Sequence, residues 1–187
     1  DNFRPHGLSI HGNTLVAINH PKERGKDPES IETFSISNKG IEHDKTLISP
    51  LLESPNDLVL VAENKLYIGN DIMFNSNINS FEKIQQQLGR PYSTIVFYDG
   101  ANMSIAAKNL ASVSGLNVTK EGYIIASETN AKRIRVLKQL QDGKLEKLGA
   151  ISLDGSPDNI SVSGDEIIVA QVASVSSLIQ HFISLQK

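Results

Sequence analysis

Two histidines, two acid–amide pairs and one Ser-Gly-Leu-Asn run are the residues whose types and spacing could do chemistry here. His6 stands in PHGLSI and His20 in NHP, at the two ends of one apparent hairpin. Histidines at the tops of adjacent strands could form a hydrogen-bonded dyad that activates water. The plainer alternative for each is a surface position or a satisfied core group. His11, His43 and His181 read as turn or outer-strand residues with no role. The acid–amide pairs are Asn56-Asp57 in SPNDLVLV and Asp158-Asn159 in SPDNISVS. Both follow Ser-Pro and both open an alternating apolar segment.

The elements that must position these residues are strands. Apolar segments are short, alternating and β-branched, and are punctuated by Gly, Asn, Asp and Pro. LSIHGNTLVAINH reads strand, Gly12-Asn13 turn, strand. SIETFSISNKGIEHDKTLI turns at 38–40, and NDLVLVAENKLYIGND turns at Glu63-Asn64. Paired hairpins repeat, with units starting near His6, Asn56, Ser114 and Asp158. Four antiparallel strands per unit of roughly 40–50 residues is the signature of a β-propeller blade. A β-sandwich supplies similar strands but no reason for each unit to open on polar residues. We therefore expect an all-β chain, one partial β-propeller domain over 1–187 with about four blades. SNINSFEKIQQQLGRPY interrupts the repeat with helical spacing at Phe81, Ile84, Gln85 and Leu88, which predicts a short inserted helix at about 79–89. It is read as surface decoration or as a wall over the upper face.

In a propeller the first strand of each blade lines the central channel. Asn56, Asp57, Ser114, Asn117, Asp158 and Asn159 would then surround one tunnel mouth, with His6 and the backbone of Leu8. Such a ring offers hard oxygen donors and two formal negative charges, the donor type that calcium selects. Zinc is disfavoured, because His6 and His20 lack HExxH-like spacing and the chain has no cysteine. The competing reading is that Asn and Asp beside Pro only form turns and bulges.

Composition narrows the classes further. With net charge −3 there is no electrostatic case for nucleic acid or an anionic membrane. No apolar run approaches the roughly 18 residues that span a bilayer. Sequons at Asn102, Asn117 and Asn159 carry little weight in an Asn- and Ser-rich sequence.

Taken in order, PHGLSI, NHP, NDLVLV…LYIGND, GLNVTKEGYIIASE and DNISV resemble the paraoxonase (arylesterase/lactonase) family over nearly the whole chain. The resemblance implies a six-bladed propeller, of which these residues form about four blades, with two calcium ions in the tunnel. Asn56, Asp158 and Asn159 would hold a catalytic ion; Asp57 and the Leu8 carbonyl would hold a deeper structural one. His6 and His20 would match the family's histidine dyad. Two departures accompany this. Ser114 stands where the family has an Asn ligand, and a hydroxyl is a shorter, weaker donor. The family's Glu-Asp pair from an earlier blade has no equivalent in these residues, so further blades or a partner chain are expected to close the ring. The implied activity is calcium-dependent hydrolysis of lactones or aryl esters. The rival is a catalytically inactive relative serving as chaperone or assembly partner of membrane proteins, with calcium purely structural. A sugar-lactone hydrolase or strictosidine-synthase-like propeller is a weaker third. By resemblance, the protein is expected to be a secreted or lumenal, membrane-anchored glycoprotein, with membrane or lipoprotein association.

Overall fold

The computed structural model describes residues 3–71, 81 and 90–172. Three four-stranded antiparallel meanders and one hairpin follow one another along the chain. The first contains β1 (Pro5–His11), β2 (Thr14–Asn19), β3 (Ser30–Ser37) and β4 (Gly40–Ile48). The second contains β5 (Pro55–Ala62), β6 (Lys65–Asn70), β7 (Ser93–Tyr98) and β8 (Met103–Leu110). The third contains β9 (Val113–Val118), β10 (Tyr123–Glu128), β11 (Arg133–Gln139) and β12 (Leu145–Ser152), with a 3-10 turn at Thr129–Ala131. The hairpin is β13 (Ser156–Ser163) and β14 (Glu166–Val172). The first strands adjoin in series, β1 beside β5, β5 beside β9 and β9 beside β13. That is propeller geometry, with sheets stacked face to face around a common axis.

Burial explains the sequence pattern from the inside out. β6 and β10 lie between two neighbouring sheets, so every residue after the first is buried. Both faces of such a strand need apolar or small residues, which is why LYIGN and YIIASE lose clean alternation. The outermost strands β4 and β12 are almost wholly exposed and accordingly carry charge. Val16, Ile18 and Ile31 of the first sheet pack on Leu58, Leu60, Ile68 and Val96 of the second. Tyr67, Ile95 and Phe97 pack in turn with Leu116, Ile124 and Leu137 of the third, and Ile125 and Ile134 meet Ile160 of the hairpin. Each fully buried Ile contributes about 1.5–3 kcal/mol of transfer free energy, so the inter-sheet seams hold the arrangement together. Leu8, Ile10 and Ile41 of the first sheet, and Ile168 and Val172 of the last, stay exposed.

The expected turns form where they were placed. Gly12 and Gly164 take φ of +59° and +60° at matching hairpin tips, a backbone conformation open to glycine at little cost. The helix expected at about 79–89 lies outside the described residues apart from Phe81, which is exposed. His181 lies outside them too.

Candidate functional site at the inner-strand bulges

The same irregularity recurs in all four sheets near the start of the innermost strand. In β1 the register slips between Pro5 and Leu8, leaving His6 and Gly7 opposite one residue of β2. In β5 it slips between Pro55 and Asp57, so Asn56 is the extra residue. In β9, Val113 and Gly115 face the adjacent residues Glu128 and Ser127, leaving Ser114 unpaired. In β13 it slips between Pro157 and Ile160, across Asp158 and Asn159. A β-bulge re-aims side chains out of the alternating pattern. Four bulges in phase therefore gather His6, Asn56, Ser114, Asp158 and Asn159 near one end of the axis.

Two glycines let the bulges nest. A β-carbon on Gly7 would lie 2.9 Å from the carbonyl oxygen of Asn56 and from Asp57 Oδ1. One on Gly115 would lie 2.5 Å from the carbonyl oxygen of Asp158. Of the expected ring, His6, Leu8, Asp57, Asn117 and Asn159 line a cavity of about 310 Å³, whereas Asn56, Ser114 and Asp158 do not.

Asp57 anchors the wall of that cavity. Its Oδ2 accepts the Leu116 amide at 2.7 Å and its Oδ1 accepts the Leu58 amide at 2.9 Å. Burial nevertheless pushes its carboxyl up to about 6, and the charge of Asp158 adds to the rise. Asn117 donates to the Ile160 carbonyl at 3.1 Å, tying β9 to β13. Among the described residues, no group of three or more His, Asp and Glu side chains gathers as a metal centre. Amides and carbonyls accompany the two carboxylates instead.

The histidines do come together. Their ring centroids lie 4.9 Å apart at 42°. His6 is exposed toward the cavity, whereas His20 is buried behind it. Burial, His20 and Arg24 all push the His6 pKa down, against a hydrogen bond with Asn56 and the charge of Asp71. His20 Nδ1 lies 2.6 Å from Glu29 Oε2, and Arg24 Nε donates to Glu29 Oε1 at 2.9 Å.

Asn56 is held from behind. Its Nδ2 donates to Asp71 Oδ2 at 2.9 Å, and Ser54 donates its hydroxyl to Asp71 Oδ1. The amide nitrogen being engaged there, the Asn56 oxygen is turned away from Asp71. Ser114 behaves differently. Its hydroxyl is hydrogen-bonded to Thr129 Oγ1 and lies 3.4 Å from the Pro157 carbonyl, to which Thr129 also donates. It is buried in the wall between β9 and β13 and does not line the cavity.

Sequence reasoning missed Asp71, Glu29 and Arg24. Asp71 closes the LYIGND motif, and its acidic end was a signal left unused. Glu29 and Arg24 sit in the charged loop KERGKDPES, where ordinary loop polarity masks a buried ion pair.

Comparison with known proteins then fixes the relationship. Residues 1–180 match the family profile described as Arylesterase. The chain belongs to the arylesterase family. It is 29% identical over 166 residues to human serum paraoxonase/lactonase 3, covering 86% of this chain and 46% of that protein. It is 29% identical over 167 residues to human serum paraoxonase/arylesterase 1, covering 86% and 46%. Rabbit (Oryctolagus cuniculus) serum paraoxonase/lactonase 3 is 27% identical over 168 residues, covering 87% and 46%. The chain thus spans about half the length of the curated relatives it matches. Among solved structures, a gluconolactonase from Xanthomonas campestris superposes with a TM-score of 0.57 at 15% identity, covering 89% of this chain and 54% of that one. Virginiamycin B lyase from Staphylococcus aureus gives 0.54 at 13%, covering 95% and 58%. At such identities the structural likeness speaks for the propeller fold alone.

Proposed function

We propose that the protein to which this arylesterase-family chain belongs hydrolyses lactones and aryl esters at the end of the propeller axis where the bulges meet. The observation that carries this is the phase of the four bulges: they set His6, Asn56, Asp158 and Asn159 at one end of the axis, where His6 meets His20 and a cavity wall carries Asp57 and Asn117. The donor set fits a hard cation. It is oxygen-rich and free of thiols, and Asp57 is a carboxylate whose ionisation both burial and Asp158 oppose, a cost that a cation would relieve. Asn56, Asp158 and Asn159 would hold a calcium ion near the rim, and Asp57 with the Leu8 carbonyl would hold another deeper. When bound, the rim ion would supply electrophilic polarisation of the ester carbonyl.

The chain's own residues handle the proton. His6 opens onto the cavity, and partial burial with the nearby Arg24 charge holds its pKa below the ordinary 6.5, so it presents an unprotonated nitrogen at neutral pH. Water attacks the carbonyl carbon as His6 takes one of its protons. The acyl C–O bond then breaks, and the leaving oxygen takes that proton back from His6 while the new carboxylic acid releases the other to solvent. The products are a carboxylate and an alcohol, phenol or, from a lactone, a hydroxy acid. Asp71 keeps Asn56 in place, and the buried Glu29 does the same for His20. Hydrolysis of a panel of aryl esters and lactones by the native protein and by His6→Gln checks this. The reading requires measurable turnover that drops by about 10²-fold or more in the variant; equal rates would refute it.

Ser114 favours a second reading. Its hydroxyl is committed to Thr129 and the Pro157 carbonyl. A rim site short of one donor suits a relative that keeps the deep ion for stability and serves as an assembly partner without turnover. A single bound calcium with no hydrolysis across the panel would favour that alternative.

A further inference from the structure

We propose that Glu29, gripped by Arg24, is a positioning residue that fixes the buried His20 in one tautomer, with a protonated Nδ1 donating to the carboxylate and a bare Nε2. The inference deepens the hydrolase reading and rests on it for its catalytic meaning. Its basis is a chain of contacts running inward from the cavity. His6 stands at the cavity wall, and the His20 ring lies 4.9 Å behind it. Behind His20 comes Glu29, with Oε2 at 2.6 Å from Nδ1, and behind Glu29 comes Arg24, with Nε at 2.9 Å from Oε1.

A carboxylate can only accept, so the His20 nitrogen facing it must carry the proton. The other nitrogen, Nε2, is buried and has no hydrogen-bond partner among the described residues. A buried orphan of this kind costs stability, and a role in proton transfer is one reason for a site to keep it. Left bare, Nε2 gives the His20 ring, whose centroid lies 4.9 Å from that of His6, one free acceptor for a proton that His6 has received. Arg24 keeps Glu29 from swinging away, and its Nη2 also reaches Ser54 Oγ at 3.4 Å and the Pro55 carbonyl at 3.5 Å. The same arginine therefore braces the acid behind His20 and the strand that carries Asn56. The positioning is built from the loop between β2 and β3 and needs no bulge residue.

Nitrogen-edited long-range NMR of the imidazoles, together with steady-state kinetics of Glu29→Gln, tests this. In the native protein His20 is expected to show a protonated Nδ1 and a bare Nε2. Glu29→Gln should mix the tautomers and lower kcat about 10- to 100-fold with KM nearly unchanged. A native His20 protonated on Nε2 overturns the inference without needing any variant. So does an active protein whose kcat is indifferent to Glu29→Gln. A native protein that hydrolyses no ester or lactone overturns the hydrolase reading instead, and with it the catalytic meaning of Glu29.

Discussion

Gly115 of the third sheet lies so close to Asp158 of the hairpin that a β-carbon on the glycine would sit 2.5 Å from the aspartate's carbonyl oxygen. Its contact atoms are backbone on one side and the Ser127 hydroxyl, at 2.9 Å, on the other. Ser127 itself donates to that same Asp158 carbonyl. Neither neighbour is the flexible tip of a long side chain. Gly115→Ala is therefore expected to destabilise the protein by about 1–3 kcal/mol, the range for overpacking a tight site. It should also push Asp158 and Asn159 off the axis and weaken hydrolysis more than Gly149→Ala, whose added carbon meets nothing. Chemical denaturation and kinetics of the two variants give the comparison; equal effects would show that the nesting of β9 on β13 does not matter.

Glu128 anchors the third sheet at the end of β10. It is fully buried and faces Arg133 and Arg135, with Arg135 Nη2 at 2.9 Å. Its Oε1 also accepts the Ala111 amide at 3.0 Å, joining the second sheet to the third. Burial by itself would raise the Glu128 pKa, but the hydrogen bonds from Arg133 and Ala111 and the charge of Arg135 overcome it and hold the pKa down. A depressed folded pKa means that this contribution is intact above the unfolded value near 4.5 and is lost as pH falls through the folded one. Glu128→Ala leaves the Ala111 amide without its acceptor and the partly exposed Arg133 and Arg135 without their carboxylate, and should cost about 1–3 kcal/mol. A urea midpoint unchanged at pH 7 would contradict this.

Asp57 should produce the opposite slope. Its folded pKa of about 6 lies above the ordinary 3.8, so its favourable contribution is complete below 3.8 and disappears as pH rises through 6. In calcium-free protein, stability should fall by about 2 kcal/mol across that window after allowance for partial exposure. Asp57→Asn should flatten the slope, and added calcium should abolish it in the native protein. Melting temperatures across pH 4–7, with chelator and with calcium, read this directly; a native slope that persists in Asp57→Asn would assign it to another group.

Much of the fold was legible because the propeller writes its period into the chain. Units opening at His6, Asn56, Ser114 and Asp158 become the four sheets, and the Gly12-Asn13 turn and its counterpart at Gly164 sit where polar tips interrupt apolar runs. The acid–amide pairs were visible as well, but their mechanism was not. Turn or bulge on one side and ring on the other read as rivals in the sequence, whereas one bulge inside the strand delivers the local irregularity and the inward aim together. The supporting groups were harder to see. Glu29 lies nine residues from His20 and Asp71 lies 15 from Asn56, separations that depend on how each hairpin closes. Ser114 was legible as a departure from the family pattern, though its pairing with Thr129 depends on the 3-10 turn after β10. Of the sequons, Asn102 sits at an exposed turn, while Asn117 and Asn159 line the cavity.

Hydrolysis is expected to depend on a cation gathered where the bulges meet. Hydrolysis of aryl esters and lactones measured against free calcium concentration tests that most directly. Activity should fall to the buffer rate on chelation and return when calcium is restored. Turnover that continues unchanged in excess chelator would contradict the central claim.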